Sequence, residues 1–322
     1  MKKSITRCTF TQKINGLFST CLLLFISLSA YSQQAVWLDA DTGNEVDDVY
    51  AILRLLKDPS VSVVGISSAH FNNPDLLVFE KWNQYPTSGI STIDISQQLN
   101  EMIVSQLKRT DIGCYKGADR QVGRSWGGFE PRESEAAQQL AAYVKSLPAG
   151  EKLDIICLGA LTNIASAVIL YPEIIPHIRC YLLGAQYNAS SGIWDKNEFN
   201  IRNDLNAFDY LLNNKDIDLT VMPITTALPY QFRKDETFSR LQKNTPPHRL
   251  LTDRWEETEP GSKTRVLWDL ALVEAYLKPE YVKTEHRPTP PENGKREIKV
   301  YISIETDKLV ADFWAFMDRL EE

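Results

Sequence analysis

The chain is poor in cysteine. Five in 322 residues cannot staple a small scaffold, so stability has to come from a buried core. Glycine (15) and proline (16) are also sparse, which excludes a collagen-like or low-complexity protein. A mix of 43% hydrophobic and 24% charged residues excludes a disordered chain. Positive charge is in the minority. The formal net charge is −7, and residues 1–32 hold four of the bases (Lys2, Lys3, Arg7, Lys13) and no acid. Past them, 31 bases face 42 acids, a formal charge of −11. That balance argues against a nucleic-acid partner bound through its phosphates.

Long apolar runs are missing except near the start, from Leu17 to Ala30. Bases before that run and small residues at Ala30 and Ser32 read as a secretory signal cleaved before Gln33. The run is short for a membrane-spanning helix, which needs about 20 apolar residues. Residues 1–32 are thus expected to be a signal peptide and residues 33–322 one secreted, periplasmic domain. No stable membrane insertion is expected once the signal is removed. Cys21 lies inside the apolar run rather than after it, a poor site for a lipid anchor. Cys114, Cys157 and Cys180 remain after cleavage. An odd number cannot pair fully, and the last two lie in apolar runs, as buried free thiols do.

Along the mature chain, short apolar runs alternate with helical spacing. Strands are predicted at Ala35–Leu38, Val61–Ile66, Asp154–Leu158, Cys180–Leu183, Leu219–Met222 and Ile298–Ile304. Helices are predicted at Asp48–Leu56, Thr162–Leu170, Asp204–Leu212 and Asp307–Leu320, with another starting between Pro131 and Val144. Residues 84–133 are otherwise irregular, and Arg287–Gly294 reads as an exposed proline-rich loop. Strand then helix then strand implies a single α/β domain with a mainly parallel central sheet flanked by helices. In such sheets ligands bind at the carboxyl ends of the strands. Polar residues follow each strand there: Asp39, Asp41, Asp47 and Asp48 after the first, His70 and Asn72 after the second, Thr162 and Asn163 after another.

Five acids lie within Asp39–Asp48. Crowded carboxylates oppose one another's ionisation. The N-terminus of the following helix relieves part of that cost, and a divalent cation would relieve more. Hard carboxylate oxygens suit Ca²⁺ or Mg²⁺, but the spacing is not that of an EF-hand. A solvated acidic turn is the plainer alternative. Its place between an apolar strand and an apolar-faced helix favours a metal or catalytic site.

Two families begin with such a strand and turn. Asp39-Ala-Asp41-Thr42 resembles the opening of haloacid-dehalogenase-like phosphotransferases, but no second acidic pair follows a later strand. More of the chain resembles the calcium-dependent nucleoside hydrolases, the inosine-uridine-preferring type and its purine-specific relatives. The matching segments are Asp39-x-Asp41-x-Gly43 with Asp47-Asp48, Gly159-Ala-Leu-Thr-Asn-Ile-Ala165, Glu198-Phe-Asn200 with Asp204, and Trp268-Asp269-Leu-Ala271. They fall in the family's order and run from Val36 to Ala271.

The resemblance implies cleavage of the N-glycosidic bond of ribonucleosides to free base and ribose. It implies Ca²⁺ held by Asp41, Asp48, Asp269 and the carbonyl of Leu158. Asp41 would act as general base on the metal-bound water. Asp47, Asn72, Glu198 and Asn200 would hold the ribose hydroxyls. Asp269 also reads as an ordinary helix N-cap, and Asn72 as a turn residue. Trp268 stands where the inosine-uridine type has a histidine and the purine-specific type a tryptophan. It hints at a purine nucleoside, and equally reads as a core aromatic. His70 is a candidate for the missing acid, with a structural role the alternative. Either Asn188 or Asn197 would serve as a further ribose contact. Five residues separate Asp41 from Asp47 where the common pattern has three, so Gly43–Val46 must bulge to keep both aspartates on one ion. A metal-dependent phosphohydrolase and a non-catalytic nucleoside- or sugar-binding protein are the competing readings. The partner expected is a small molecule; a homo-oligomer is compatible with the sequence.

Overall fold

The computed structural model describes residues 33–71, 89–243 and 245–320. Residues 1–32, read above as a signal peptide, and Asn72 lie outside them. Among the described residues the strands are β1 (Gln34–Ala40), β2 (Val61–Ser68), β3 (Gly113–Tyr115), β4 (Leu153–Cys157), β5 (Ile178–Leu183), β6 (Gln186–Asn188), β7 (Ile193–Asp195), β8 (Asp218–Met222), β9 (Gln231–Arg233), β10 (Thr264–Val266), β11 (Val282–Pro288) and β12 (Glu297–Ile304). The α-helices are α1 (Asp47–Lys57), α2 (Thr92–Gln106), α3 (Glu135–Ser146), α4 (Thr162–Leu170), α5 (Phe199–Asn203), α6 (Leu205–Asn213), α7 (Ile224–Ala227), α8 (Lys234–Arg240), α9 (Pro246–Thr258), α10 (Trp268–Leu277) and α11 (Thr306–Arg319).

Eight strands form one sheet in the order β11-β12-β8-β5-β4-β1-β2-β3. All neighbours pair in parallel except β11 with β12. β1 and β4 are buried through nearly their whole length, as strands covered on both faces must be. Two apolar layers cover the faces, one built on α1, α9, α10 and α11, the other on α3, α4 and α6. The expected α/β architecture with a mainly parallel sheet is therefore the observed one.

The strand order reverses between β1 and β4. The chain winds outward from β1 to β3 on one side and from β4 to β5 and β8 on the other. At such a switch point the connections diverge and leave a crevice beyond the carboxyl ends. Asp41 leaves β1 there and Leu158 leaves β4, joined by a bond from the Leu158 amide to the Asp39 carbonyl (2.8 Å).

Two segments differ from the sequence reading. Residues 92–106, read as irregular, form α2. Its buried face includes Thr92, Ser96 and Asn100 as well as Ile93, Ile103 and Val104, so no clean apolar stripe marks it. The proline-rich stretch is not a simple exposed loop. Residues through Pro288 belong to the edge strand β11, where a missing N–H is tolerated, and Thr289 and Asn293 are buried. Cys157 and Cys180 are buried free thiols, and Cys114 is free and half-buried. Among the described residues no helix is long and apolar enough to cross a membrane.

Candidate active site

A cleft of about 340 Å³ opens at the switch point. Asp41, Asp47, Asp48, Leu158, Glu198, Asn200, Trp268 and Asp269 all line it. Apart from His70 and Asn188, the site residues expected within the described chain are thus brought to one place. Two helices deliver the acids. Asp47 and Asp48 form the first turn of α1, and Asp269 that of α10. Neither N-cap residue caps its helix with a side chain, and the amides of these first turns favour negative charge beside them. The Asp269 amide donates to Asp47 Oδ2 at 3.1 Å.

Carboxylate oxygens of Asp47, Asp48 and Asp269 lie within 4.8 Å of one another. Asp41 falls outside this tightest group, and Asp47 stands in it instead. Burial pushes the Asp41, Asp48 and Asp269 carboxyls well above the usual carboxylate range, and repulsion among the acids adds to it. Asp47 is raised less. Burial lifts it, while Arg265 and the amides of Asp269 and Trp268 oppose that. Asp41 Oδ2 and Asp48 Oδ1 are buried without a hydrogen-bond partner. Crowded all-oxygen donors with unpaired buried lone pairs fit a hard divalent cation.

The Gly159 backbone makes room for Asp41. A Cβ there would meet Asp41 Oδ1 at 2.5 Å, so the second matching segment has to begin with glycine. The rest of that segment is structural. Asn163 donates to Asp39 Oδ1 and to the Ser68 carbonyl (2.8 Å each) and accepts from the Ala118 amide (2.9 Å). Thr162 donates to Asp204 (2.5 Å), which also caps α6 through the Ala207 amide and accepts from Val122 (2.8 Å each). Asp39 turns into the core. Burial pushes it up to about 6 against hydrogen bonds from Ser67 and Asn163.

Glu198 is the N-cap of α5. Its carboxylate accepts from the amides of Asn200 (3.1 Å), Ile201 and Ala185 (3.2 Å each). Asn200 donates to the carbonyls of Leu158 (2.6 Å) and Leu183 (3.3 Å). The Leu158 carbonyl therefore keeps one lone pair for another partner. Trp268 packs half-buried against the core with part of its surface on the cleft. Of the two asparagines left open above, Asn197 lines the cleft. Asn188 closes the β6–β7 turn through the amides of Ser190 and Ser191.

His70 is not at the cleft. It is fully buried with Nε2 2.9 Å from Thr162 Oγ1, and burial pushes it down to about 4. Sequence reasoning missed Glu45, Gln186, Phe199, Ile224 and Glu259, all of which line the cleft. The extra acid in the long first segment was a visible signal for Glu45. Phe199 lies inside the third matching segment, and Gln186, Ile224 and Glu259 carry no local signal.

The family model described as "Inosine-uridine preferring nucleoside hydrolase" matches residues 36–318. "Pyrimidine-specific ribonucleoside hydrolase RihB" of Escherichia coli (strain SE11) is 27% identical over 174 residues, 52% of this chain and 53% of that protein. "Probable uridine nucleosidase 2" of Arabidopsis thaliana is 25% identical over 181 residues, 55% of each. The chain spans about half the length of these curated relatives. A solved "Inosine-Guanosine Nucleoside Hydrolase (IG-NH)" has the same fold, with a TM-score of 0.69 at 16% identity over 89% of this chain and 99% of that one. The family match sets aside the haloacid-dehalogenase-like alternative: the chain belongs to the inosine-uridine preferring nucleoside hydrolases.

Proposed function

We propose that the chain hydrolyses the N-glycosidic bond of ribonucleosides to free base and ribose, with Ca²⁺ held by Asp41, Asp48, Asp269 and the Leu158 carbonyl. The observation that carries this reading is the convergence of acids from both ends of the chain, with Glu198 and Asn200, on one cleft. Breaking this bond builds positive charge on the ribose as the base departs. Buried carboxylates around the sugar stabilise that charge without reorganising. A cation bound among these oxygens would lower the pKa of a water beside it. Asp41 would take the proton of the attacking water on Oδ2, its unpaired oxygen. Asp47, Glu198 and Asn200 would hold the ribose hydroxyls, with Asn197 beside them and Asn72 as a further contact. Trp268 would stack on the leaving base.

Stacking by tryptophan supports a purine preference. The names of the curated relatives specify pyrimidine and uridine substrates, so pyrimidine nucleosides are the necessary comparison. Exported by its leader, the chain would act on nucleosides in the periplasm.

The test is a panel of purine and pyrimidine nucleosides, with and without chelator, read by free base and reducing sugar. Release of both, lost on chelation and restored by Ca²⁺, is expected. Tight binding with no release would instead identify a nucleoside receptor and defeat the enzymatic reading.

A further inference from the structure

The 42–46 segment must hold Asp41 and Asp48 toward one centre although it is long, polar and carries a fourth acid, Glu45, into the cleft wall. Left alone, repulsion from Asp47 and Asp48 would push such a loop outward. On one side it rests on α2. Thr42 Oγ1 donates to Asn100 Oδ1 at 2.6 Å, and a Cβ on Gly43 would meet Ile95 and Phe71 at 2.6 and 2.7 Å.

On the other side two arginines close it. Arg254 of α9 donates through Nε to the Glu45 carbonyl (3.1 Å) and through Nη2 to the Thr42 carbonyl (3.0 Å). One planar fork thus ties both ends of the loop. Arg265 of β10 pairs through Nη2 with the Glu45 carboxylate and through Nη1 with Glu259. Both guanidinium groups are largely buried, with 11% and 15% of their side chains exposed, so these are not mobile surface pairs.

We propose that Arg254 and Arg265 are positioning residues of the acidic site, holding the long 42–46 loop folded so that Asp41 on its strand side and Asp48 on its helix side face a common ion. This rests on the metal reading above. Neither arginine lines the cleft; Arg254 acts through the loop, and Arg265 through Glu45 and through its charge near Asp47. A lysine at 254 would keep the charge but cannot span two carbonyls.

The test uses the full chain as Arg254→Gln, Arg254→Lys and Arg265→Gln. Hydrogen–deuterium exchange of peptides covering 42–48, without added cation, reads the loop. Calorimetric Ca²⁺ titration without nucleoside reads the site. Both glutamine variants are expected to exchange faster in 42–48 alone and to lose about 10–100-fold in Ca²⁺ affinity, the usual effect of removing a group that orients ligands. Arg254→Lys should recover thermal stability without recovering that affinity. Unchanged exchange in 42–48, or wild-type Ca²⁺ affinity in the folded variants, overturns the proposal. Should Arg254→Gln fail to fold, wild-type affinity in Arg254→Lys overturns it instead. Absence of Ca²⁺ binding by the wild type defeats the metal reading, and the exchange comparison then decides the bracing by itself.

Discussion

Asp41 and Trp268 face the same cleft with opposite requirements. Asp41 has to be ionised in a buried, crowded place, and both burial and its neighbours resist that. Asp41→Asn keeps the shape and removes one repelling charge. Turnover of the best nucleoside should fall at least about 100-fold, the low end for general acid–base catalysis, while the melting temperature holds or rises. Initial rates within tenfold of wild type would remove Asp41 from the role of base. Trp268 offers a face rather than a charge. Stacking on a base contributes about 1–3 kcal/mol by alanine substitution, and a purine presents more ring than a pyrimidine. Trp268→Ala should lower kcat/KM on purine nucleosides more than on pyrimidine ones. Equal losses on both would end the stacking proposal.

At the scale of elements, the matching segments divide into those that line the cleft and those that fasten the strands beneath it. Asn163, at the start of α4, ties β1, the end of β2 and the loop at Ala118 together. Each buried polar group left unpaired costs about 1–3 kcal/mol, so Asn163→Ala should lower the unfolding free energy by that order or more, measured by denaturant titration. A substrate-binding role predicts the reverse: normal stability with raised KM. Legibility followed the same division. β1, β2, β4, β5 and β8 are read correctly because strands buried on both faces leave apolar runs, and α1 is read because its start is marked by Asp47 and Asp48. α2 escapes because Ser96 and Asn100 occupy its buried face to serve the loop at Thr42 and Gly43. The acids of the cleft are legible as a cluster and an ordered set of segments. Arg254 and Arg265 are not. Their role exists only once α9 and β10 fold back over a loop some 200 positions earlier.

The whole molecule carries the cost of gathering these acids, and pH reveals it. Burial, opposed by hydrogen bonds, raises Asp39 and Asp204 to about 6, and burial, opposed by Arg54, raises Glu274 to about 7. A raised carboxyl means the folded state holds its proton more tightly than the unfolded chain, whose values lie near 3.8 for Asp and 4.5 for Glu. Across the interval from these values to about 7 these carboxyls bind more protons in the folded state and outnumber buried His70, which binds fewer there, so metal-free stability falls as pH rises. Carboxyls shifted downward, such as Asp58, titrate below that interval. A cation acts in the opposite sense. It needs deprotonated ligands, and protons would compete with it for the proposed ligands Asp41, Asp48 and Asp269. Ca²⁺ in hundredfold excess over Kd stabilises by about 2.7 kcal/mol, and Kd itself should tighten with pH. The melting temperature with chelator is therefore expected to decline from about pH 5 to about pH 7.5, while the increment on adding Ca²⁺ grows over the same range. Thermal scans across that series, with and without Ca²⁺, measure both slopes. An increment that stays constant with pH would mean the ion binds somewhere other than these buried carboxylates.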